Sequence, residues 1–246
     1  MLNCSVIEAC IPIEVEKFKK KFPNSYVPQI VVCPQEGRAQ FRKKVYDECG
    51  AKKTKDIAST AGEVIAGTKG IQIIIYQRAM INAEVVQRTV WHELGHVKVG
   101  IPEKYGIDDS EESFTTNGYK IVSEFLADYI AYVVNDGNAF SYLDKPQVYM
   151  TEAFDKSTGD YVYKDSLVKA MAMIIGIKDV DQETVLKEAF GVPSFVVYLL
   201  DTLRKQTEKP EFWELDIEFF MEIGNLYIEL RDSAVRQSRL RGILGR

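Results

Sequence analysis

The chain has 246 residues, of which 46% are hydrophobic, and a formal net charge of −5. This length suits one large domain or two small ones with a substantial core, and the net acidity argues against nucleic-acid binding by the whole chain. No apolar run approaches the about 20 residues that span a bilayer, the N-terminus lacks a basic signal region, and four cysteines form no dense framework, so we predict a cytoplasmic protein without membrane association.

The first 80 residues indicate mixed α and β structure. The predicted elements are a helix at residues 15–22, a strand at 30–33, a basic helix at 38–49, and strands at 62–67 and 70–76. Pro34 is expected to end the first strand, and Gly50 to stop the second helix. This mixture predicts the α+β class.

Both histidines of the chain lie within five residues, in His92-Glu93-Leu94-Gly95-His96. Apolar spacing predicts a helix from Ala83 to about Val99, in which positions four apart share one face, so both imidazoles can reach one Zn²⁺ at about 2.0–2.1 Å. Glu93 lies about a third of a turn away, where it can take a proton from a zinc-activated water and pass it to a leaving amine. The pentapeptide therefore predicts a metallohydrolase with Glu93 as its catalytic base.

The same pentapeptide has a simpler interpretation. Val86, Val90 and Leu94 follow helical spacing well enough to supply the core without any metal. Under this interpretation the helix is merely amphipathic, with two partly buried histidines and a solvent-facing Glu93. The protein would then be a helical interaction module in which the motif is accidental.

A catalytic zinc normally takes three protein ligands, and this chain has no third histidine. The best candidate is Glu124, because its segment has helical periodicity with small residues on the same side. Asp128 follows one turn later and can accept the second ring N–H of a zinc histidine, which fixes the orientation of that ring.

Other carboxylates compete for the third position. Asp108, Asp109, Glu111 and Glu112 form an acidic cluster between the two predicted helices. Any of them can in principle fold back onto the metal. The alternative is that they begin the second helix, with Asp109 or Ser110 as its cap and the glutamates in its first turn.

With Glu124 and Asp128 included, the motif resembles the gluzincin metallopeptidases, and its Glu-x-x-Ala-Asp-x-x-Ala pattern is similar to the ImmA/IrrE-type peptidases. The resemblance covers about residues 70–135, roughly a quarter of the chain. It implies a zincin-like core in which His92, His96 and Glu124 bind zinc, Glu93 is the general base and Asp128 orients a ligand histidine.

The chain departs from these families because it has no third histidine. It therefore lacks both the downstream histidine often seen in the ImmA/IrrE type and the histidine that stabilises the oxyanion in thermolysin-like gluzincins. A tyrosine is the expected donor instead, and the candidates are Tyr129, Tyr132 and Tyr119. In the families, the strand before the motif helix lies at the sheet edge and pairs with substrate. Ile71 to Tyr76 is therefore expected to be either one wall of the cleft or a plain core strand.

Residues 136–146 are polar and rich in helix breakers, which predicts a boundary between a metallopeptidase core at 1–138 and a helical region at 139–246. The predicted helices of that region span residues 165–175, 181–190, 194–205 and 214 to about 240. The basic tail, which includes Arg231 and Arg246, is interpreted as a solvated helix end or as a surface for an acidic partner or nucleic acid.

Three functions are consistent with these features. The first is a zinc-dependent peptidase acting on a protein or peptide substrate. The second is a catalytically silent sensor or binding protein that keeps the zinc cage, and the third is the interaction module without metal. Metal content separates the third from the others, and replacement of Glu93 with Gln separates the first from the second.

Overall fold

The computed structural model describes residues 1–52, 60–108, 113–135, 144–155, 160–161, 165–177, 182–185 and 194–228. It is α+β, as predicted, with mostly helical content, and divides into two compact units, Met1–Ile101 and Pro102–Arg246. The helices are α1 (Cys4–Lys21), α2 (Arg38–Cys49), α3 (Ala83–Val99), α4 (Phe114–Tyr129), α5 (Asp144–Ala153), α6 (Asp165–Ile175), α7 (Gln182–Thr184), α8 (Ser194–Thr207) and α9 (217–228). The strands are β1 (Gln29–Cys33), β2 (Gly62–Gly67), β3 (Gly70–Tyr76), β4 (Phe154–Asp155) and β5 (Asp160–Tyr161).

The main sheet of the first unit has the strand order β1-β3-β2. Strand β3 runs parallel to β1 and antiparallel to β2, and Ile73, Ile74 and Ile75 are fully buried. The expectation that residues 71–76 form a sheet edge is therefore wrong, because both sides of β3 already carry ladder hydrogen bonds. The alternative of a core strand is confirmed.

Helix α1 begins eleven residues before the predicted start at Val15. Asn3 caps it by accepting a hydrogen bond from the backbone N–H of Val6 at 2.9 Å, and Pro12 lies inside the helix. An internal proline disfavours a helix. Tertiary packing opposes that penalty here, since the ring of Phe18 contacts Trp91 of α3 and the Trp91 indole N–H donates to buried Glu14 at 3.1 Å.

Glu63 of β2 connects the sheet to α2. Arg42 donates to its two carboxylate oxygens at 2.9 and 2.6 Å, and the hydroxyls of Tyr46 and Tyr76 each donate at 2.5 Å. Burial raises the pKa of Glu63, but the hydrogen bonds from Arg42 and the two tyrosines outweigh it, so the pKa lies below its ordinary value. The ionised carboxylate therefore stabilises this unit.

We expect Glu63→Gln to lower the free energy of unfolding at pH 7 by about 3 kcal/mol, because it leaves the Arg42 guanidinium without its counterion. Since the folded-state pKa of Glu63 is lowered, its contribution is present above the unfolded value of about 4.3 and disappears as the pH falls through the folded value. Urea unfolding at a series of pH values measures this.

The matched control is Glu48→Gln, which removes a carboxylate that is 46% exposed and pairs with Lys44. It should change stability by no more than about 0.5 kcal/mol. Equal effects of the two substitutions, or a Glu63→Gln deficit that persists at the lowest pH, would contradict the assignment.

The second unit is helical in its described part, apart from the β4–β5 pair. Helices α4 and α9 cross with their backbones in contact, since a Cβ at Gly118 would overlap the carbonyl of Phe220 and one at Gly224 would overlap that of Phe114. Helix α4 is capped by Ser113, whose side chain accepts from the N–H of Thr116 at 3.1 Å. The predicted cap at Asp109 or Ser110 is therefore wrong.

Helix α6 has the predicted bounds, and α8 ends two residues after the predicted Lys205. Of the predicted helix 181–190, only residues 182–185 are described. The predicted helix from 214 begins three residues later, at 217, and is described as far as residue 228. The domain boundary at 138/139, residues 109–112 and the basic tail lie outside the described residues. No helix in the described ranges has the length and apolar character needed to cross a membrane.

Candidate metal centre

The motif helix α3 has the predicted bounds, Ala83–Val99. Asn82 caps its N-terminus by accepting a hydrogen bond from the backbone N–H of Val85 at 2.9 Å. Gly100, with a φ of 108°, caps its C-terminus. The apolar face formed by Val86, Val90 and Leu94 is fully buried, as expected for an amphipathic helix. Burial of this face fixes which way the two histidines point.

The two imidazoles converge. The Nε2 atoms of His92 and His96 lie 3.0 Å apart, and the ring planes are inclined by 86° with centroids separated by 4.7 Å. Two nitrogens bound to one tetrahedral zinc at about 2.0–2.1 Å lie about 3.3 Å from each other. The helix therefore places both Nε2 atoms near the spacing that a shared metal ion requires.

Glu93, between the histidines, is buried, with only 5% of its surface exposed. Its side chain lies against Gly62 of β2, where a Cβ would be 2.6 Å from Oε1 and 2.7 Å from Cγ of Glu93. A solvent-facing Glu93, as the simple amphipathic interpretation requires, is therefore wrong. Glycine at position 62 leaves the space that this carboxylate occupies.

Glu124 completes a group that can hold a metal ion. One ligand atom from each of His92, His96 and Glu124 lies within 4.8 Å of the others, and all three residues are half-buried. Within the part of the chain that the structure describes, no other three such residues meet this spacing. Two imidazoles and a carboxylate suit Zn²⁺ and also other first-row divalent metals.

The competing carboxylates receive no support for the third position. Asp108 is exposed, and its backbone carbonyl accepts a hydrogen bond from the Thr116 hydroxyl at 3.2 Å. Asp109, Glu111 and Glu112 lie outside the described residues. Among the described residues, Glu124 is the carboxylate that lies at ligand spacing from the histidine pair.

Asp128 lies one helical turn after Glu124 and is 2% exposed. Its Oδ1 atom is 4.0 Å from the ammonium nitrogen of Lys169 in α6, a charged neighbour that sequence reasoning did not assign to the site. The available signal was the isolation of Lys169, the one charged residue in the apolar run from Ser166 to Ile177. The contact of Asp128 with a zinc histidine stays a prediction.

The three candidate tyrosines have different surroundings. Tyr129 stacks on Phe125 and packs edge-on against Phe212, and burial raises its pKa against an opposing hydrogen bond with Thr207. Tyr119 packs against Tyr105 and Phe220. Tyr132 lies in the π-helix Ile130–Val134, and its ring centroid is 5.8 Å from the Lys169 ammonium. Tyr132 is thus the candidate that shares a neighbour with Asp128, and the oxyanion role stays a prediction for all three.

The gluzincin resemblance rests on residues of this chain alone. Its main elements are the histidine pair, the buried glutamate between them and the later Glu124 with Asp128. No protein-family model, curated protein or solved structure matches the chain.

Proposed function

We propose that this protein is a zinc-dependent peptidase with a zincin-like core that hydrolyses an amide bond of a protein or peptide in the cytoplasm. The observation that carries the proposal is the group formed by His92, His96 and Glu124. Two nitrogens and one carboxylate oxygen leave a fourth tetrahedral position open, which is the arrangement of catalytic zinc sites.

Zinc bound there supplies Lewis-acid polarisation of a carbonyl and lowers the pKa of water to about 7. The chain itself must supply the proton transfer. Glu93 adjoins the ligand His92 in sequence, and its buried carboxylate is confined by Gly62. A carboxylate held in this way can take the proton of the attacking water and deliver it to the leaving amine.

The burial of Glu93 favours a peptidase over a silent zinc cage. A site that only holds metal has no need of a carboxylate between the ligands, and an unused glutamate is normally solvated. Here the chain buries Glu93 and keeps a glycine opposite it. This is the expected arrangement if Glu93 acts on a group near the metal.

Metal analysis tests the proposal first. We expect the full chain, purified gently in zinc-containing buffer, to hold about one zinc per molecule by mass spectrometry of the metal, because His92, His96 and Glu124 each offer one ligand atom within 4.8 Å of the others. His92→Ala with His96→Ala should hold almost none. A protein without zinc under these conditions would count heavily against the proposal.

Activity is then assayed on a mixed peptide library with cleavage products identified by mass spectrometry. We expect cleavage by the zinc-loaded protein, loss of cleavage after chelation, and recovery on adding zinc back. Cleavage that survives chelation and persists in the double histidine variant would assign the activity to a contaminant.

A further inference from the structure

A partly buried lysine, Lys169, lies within the apolar helix α6 of the second unit. Lys169 is flanked in α6 by the buried residues Val168 and Ala170, and its side chain is only 28% exposed. Withdrawing an ammonium from water is costly unless nearby groups compensate it. Its surroundings should therefore show what it does.

Three groups face this ammonium. Asp128 Oδ1 lies 4.0 Å from Nζ, and the ring centroids of Tyr149 and Tyr132 lie at 5.3 and 5.8 Å. Burial lowers the pKa of Lys169, but Asp128, both tyrosines and Glu124 together raise it above its ordinary value. Lys169 therefore carries its positive charge at neutral pH.

The carboxylates near this cation are the two that the proposed metal centre uses. Asp128 is almost fully buried, and Glu124 lies one turn before it on α4. The π-helix that follows, marked by the hydrogen bond from Asn135 N–H to the Ile130 carbonyl at 3.0 Å, carries Tyr132. The Lys169 ammonium, which lies between α4, α5 and α6, therefore offsets the negative charge of the α4 carboxylates, which would otherwise be buried without a nearby cation.

We propose that Lys169 is a positioning residue of the metal centre that acts through Asp128. This inference rests on the proposed function. The separation of 4.0 Å makes the contact Coulombic rather than a hydrogen bond, so Lys169 holds the carboxylate without taking one of its lone pairs. A carboxylate held in this way can accept the ring N–H of a zinc histidine, as predicted for Asp128.

Two physical effects give opposite signs when the ammonium is removed. If repulsion between the Lys169 ammonium and the zinc ion were the only effect, Lys169→Met would bind zinc more tightly than the parent protein. Loss of an outer partner of a ligand histidine weakens zinc binding by about 10–100-fold. If Lys169 acts by positioning Asp128, the second effect dominates, and we expect Lys169→Met to weaken zinc binding about tenfold.

The experiment measures zinc dissociation constants of the full chain by competition with a chromophoric chelator at fixed neutral pH. Lys169→Arg keeps the charge and should stay within about threefold of the parent protein. Lys120→Met is the matched control, since Lys120 is an exposed lysine of α4 and its loss changes net charge equally. It should leave zinc affinity unchanged. Lys169→Gln is measured in parallel so that a folding defect in one variant does not remove the test.

A double-mutant cycle with Asp128→Asn separates positioning from a general structural role. If Lys169 acts through Asp128, adding Lys169→Met to the Asp128→Asn variant should weaken zinc binding by less than about a further twofold. Tighter zinc binding by Lys169→Met, unchanged binding, or equal losses in both backgrounds would overturn the inference while leaving the peptidase proposal intact. Failure of the parent protein to bind zinc would overturn both.

Discussion

Glu93→Gln should lower peptide hydrolysis by about 10²–10⁴-fold while the zinc content stays near one per chain, because the variant keeps the ligands and loses the proton acceptor. Glutamine fills nearly the same volume as glutamate and stays compatible with the buried position beside Gly62. Turnover of a peptide found in the library screen and metal content by mass spectrometry, taken from the same preparation, give the two readouts.

The outcomes discriminate among the three functions. Loss of hydrolysis with retained zinc supports the peptidase. A parent protein that binds zinc without cleaving any peptide, and whose Glu93→Gln variant behaves identically, supports the silent zinc-holding protein. Loss of zinc together with activity would contradict the assignment of Glu93 as a base, since a base that does not ligate the metal leaves affinity largely intact.

Gly62→Ala tests the same base without changing its chemistry. A Cβ at position 62 would lie 2.7 Å from Glu93 Cγ, so the glutamate must shift. Misplacement of a catalytic group by about 1 Å can cost about 10²-fold in rate. We therefore expect reduced turnover with retained zinc, and little further loss when Gly62→Ala is combined with Glu93→Gln, because both act on one group.

The elements best predicted from sequence are those whose boundaries are marked locally. Helix α3 begins at an Asn82 cap and α2 ends at Gly50, which adopts a left-handed conformation with a φ of 65°. Apolar periodicity covers the interior of both helices, and the i,i+4 spacing of His92 and His96 follows from helix geometry alone. For these reasons the convergence of the two imidazoles could be predicted before any fold was known.

The remaining features depend on partners that are distant in sequence. The burial of Glu93 requires Gly62, and the central position of β3 requires pairing with β1, 29–33, across the whole of α2. Helix α1 continues through Pro12 because Phe18 and Glu14 contact Trp91, and helix propensity does not encode these contacts. The proximity of Lys169 to Asp128 depends on the packing of α6 against α4, which the apolar sequence around Lys169 does not encode.

Glu124→Ala should weaken zinc binding by more than about 100-fold. Removing a residue that only hydrogen-bonds to a zinc ligand already lowers zinc affinity by about 10–100-fold, and Glu124 is proposed to be a ligand itself. The variant leaves two imidazoles, which hold zinc less tightly than a three-ligand site. Competition with a chelator measures the affinity, and thermal unfolding with and without zinc measures the coupling, since a ligand that binds only the folded state raises its stability.

Two controls make the Glu124 result specific. Glu103→Ala removes an exposed carboxylate shortly after the motif helix, and Glu112→Ala removes one from the acidic cluster before α4. Neither should alter zinc affinity if Glu124 is the third ligand. Retained zinc in Glu124→Ala combined with loss in Glu112→Ala would move the third ligand into the segment before α4. It would also remove Asp128 from its assigned place beside the site, because that assignment depends on its position one turn after Glu124.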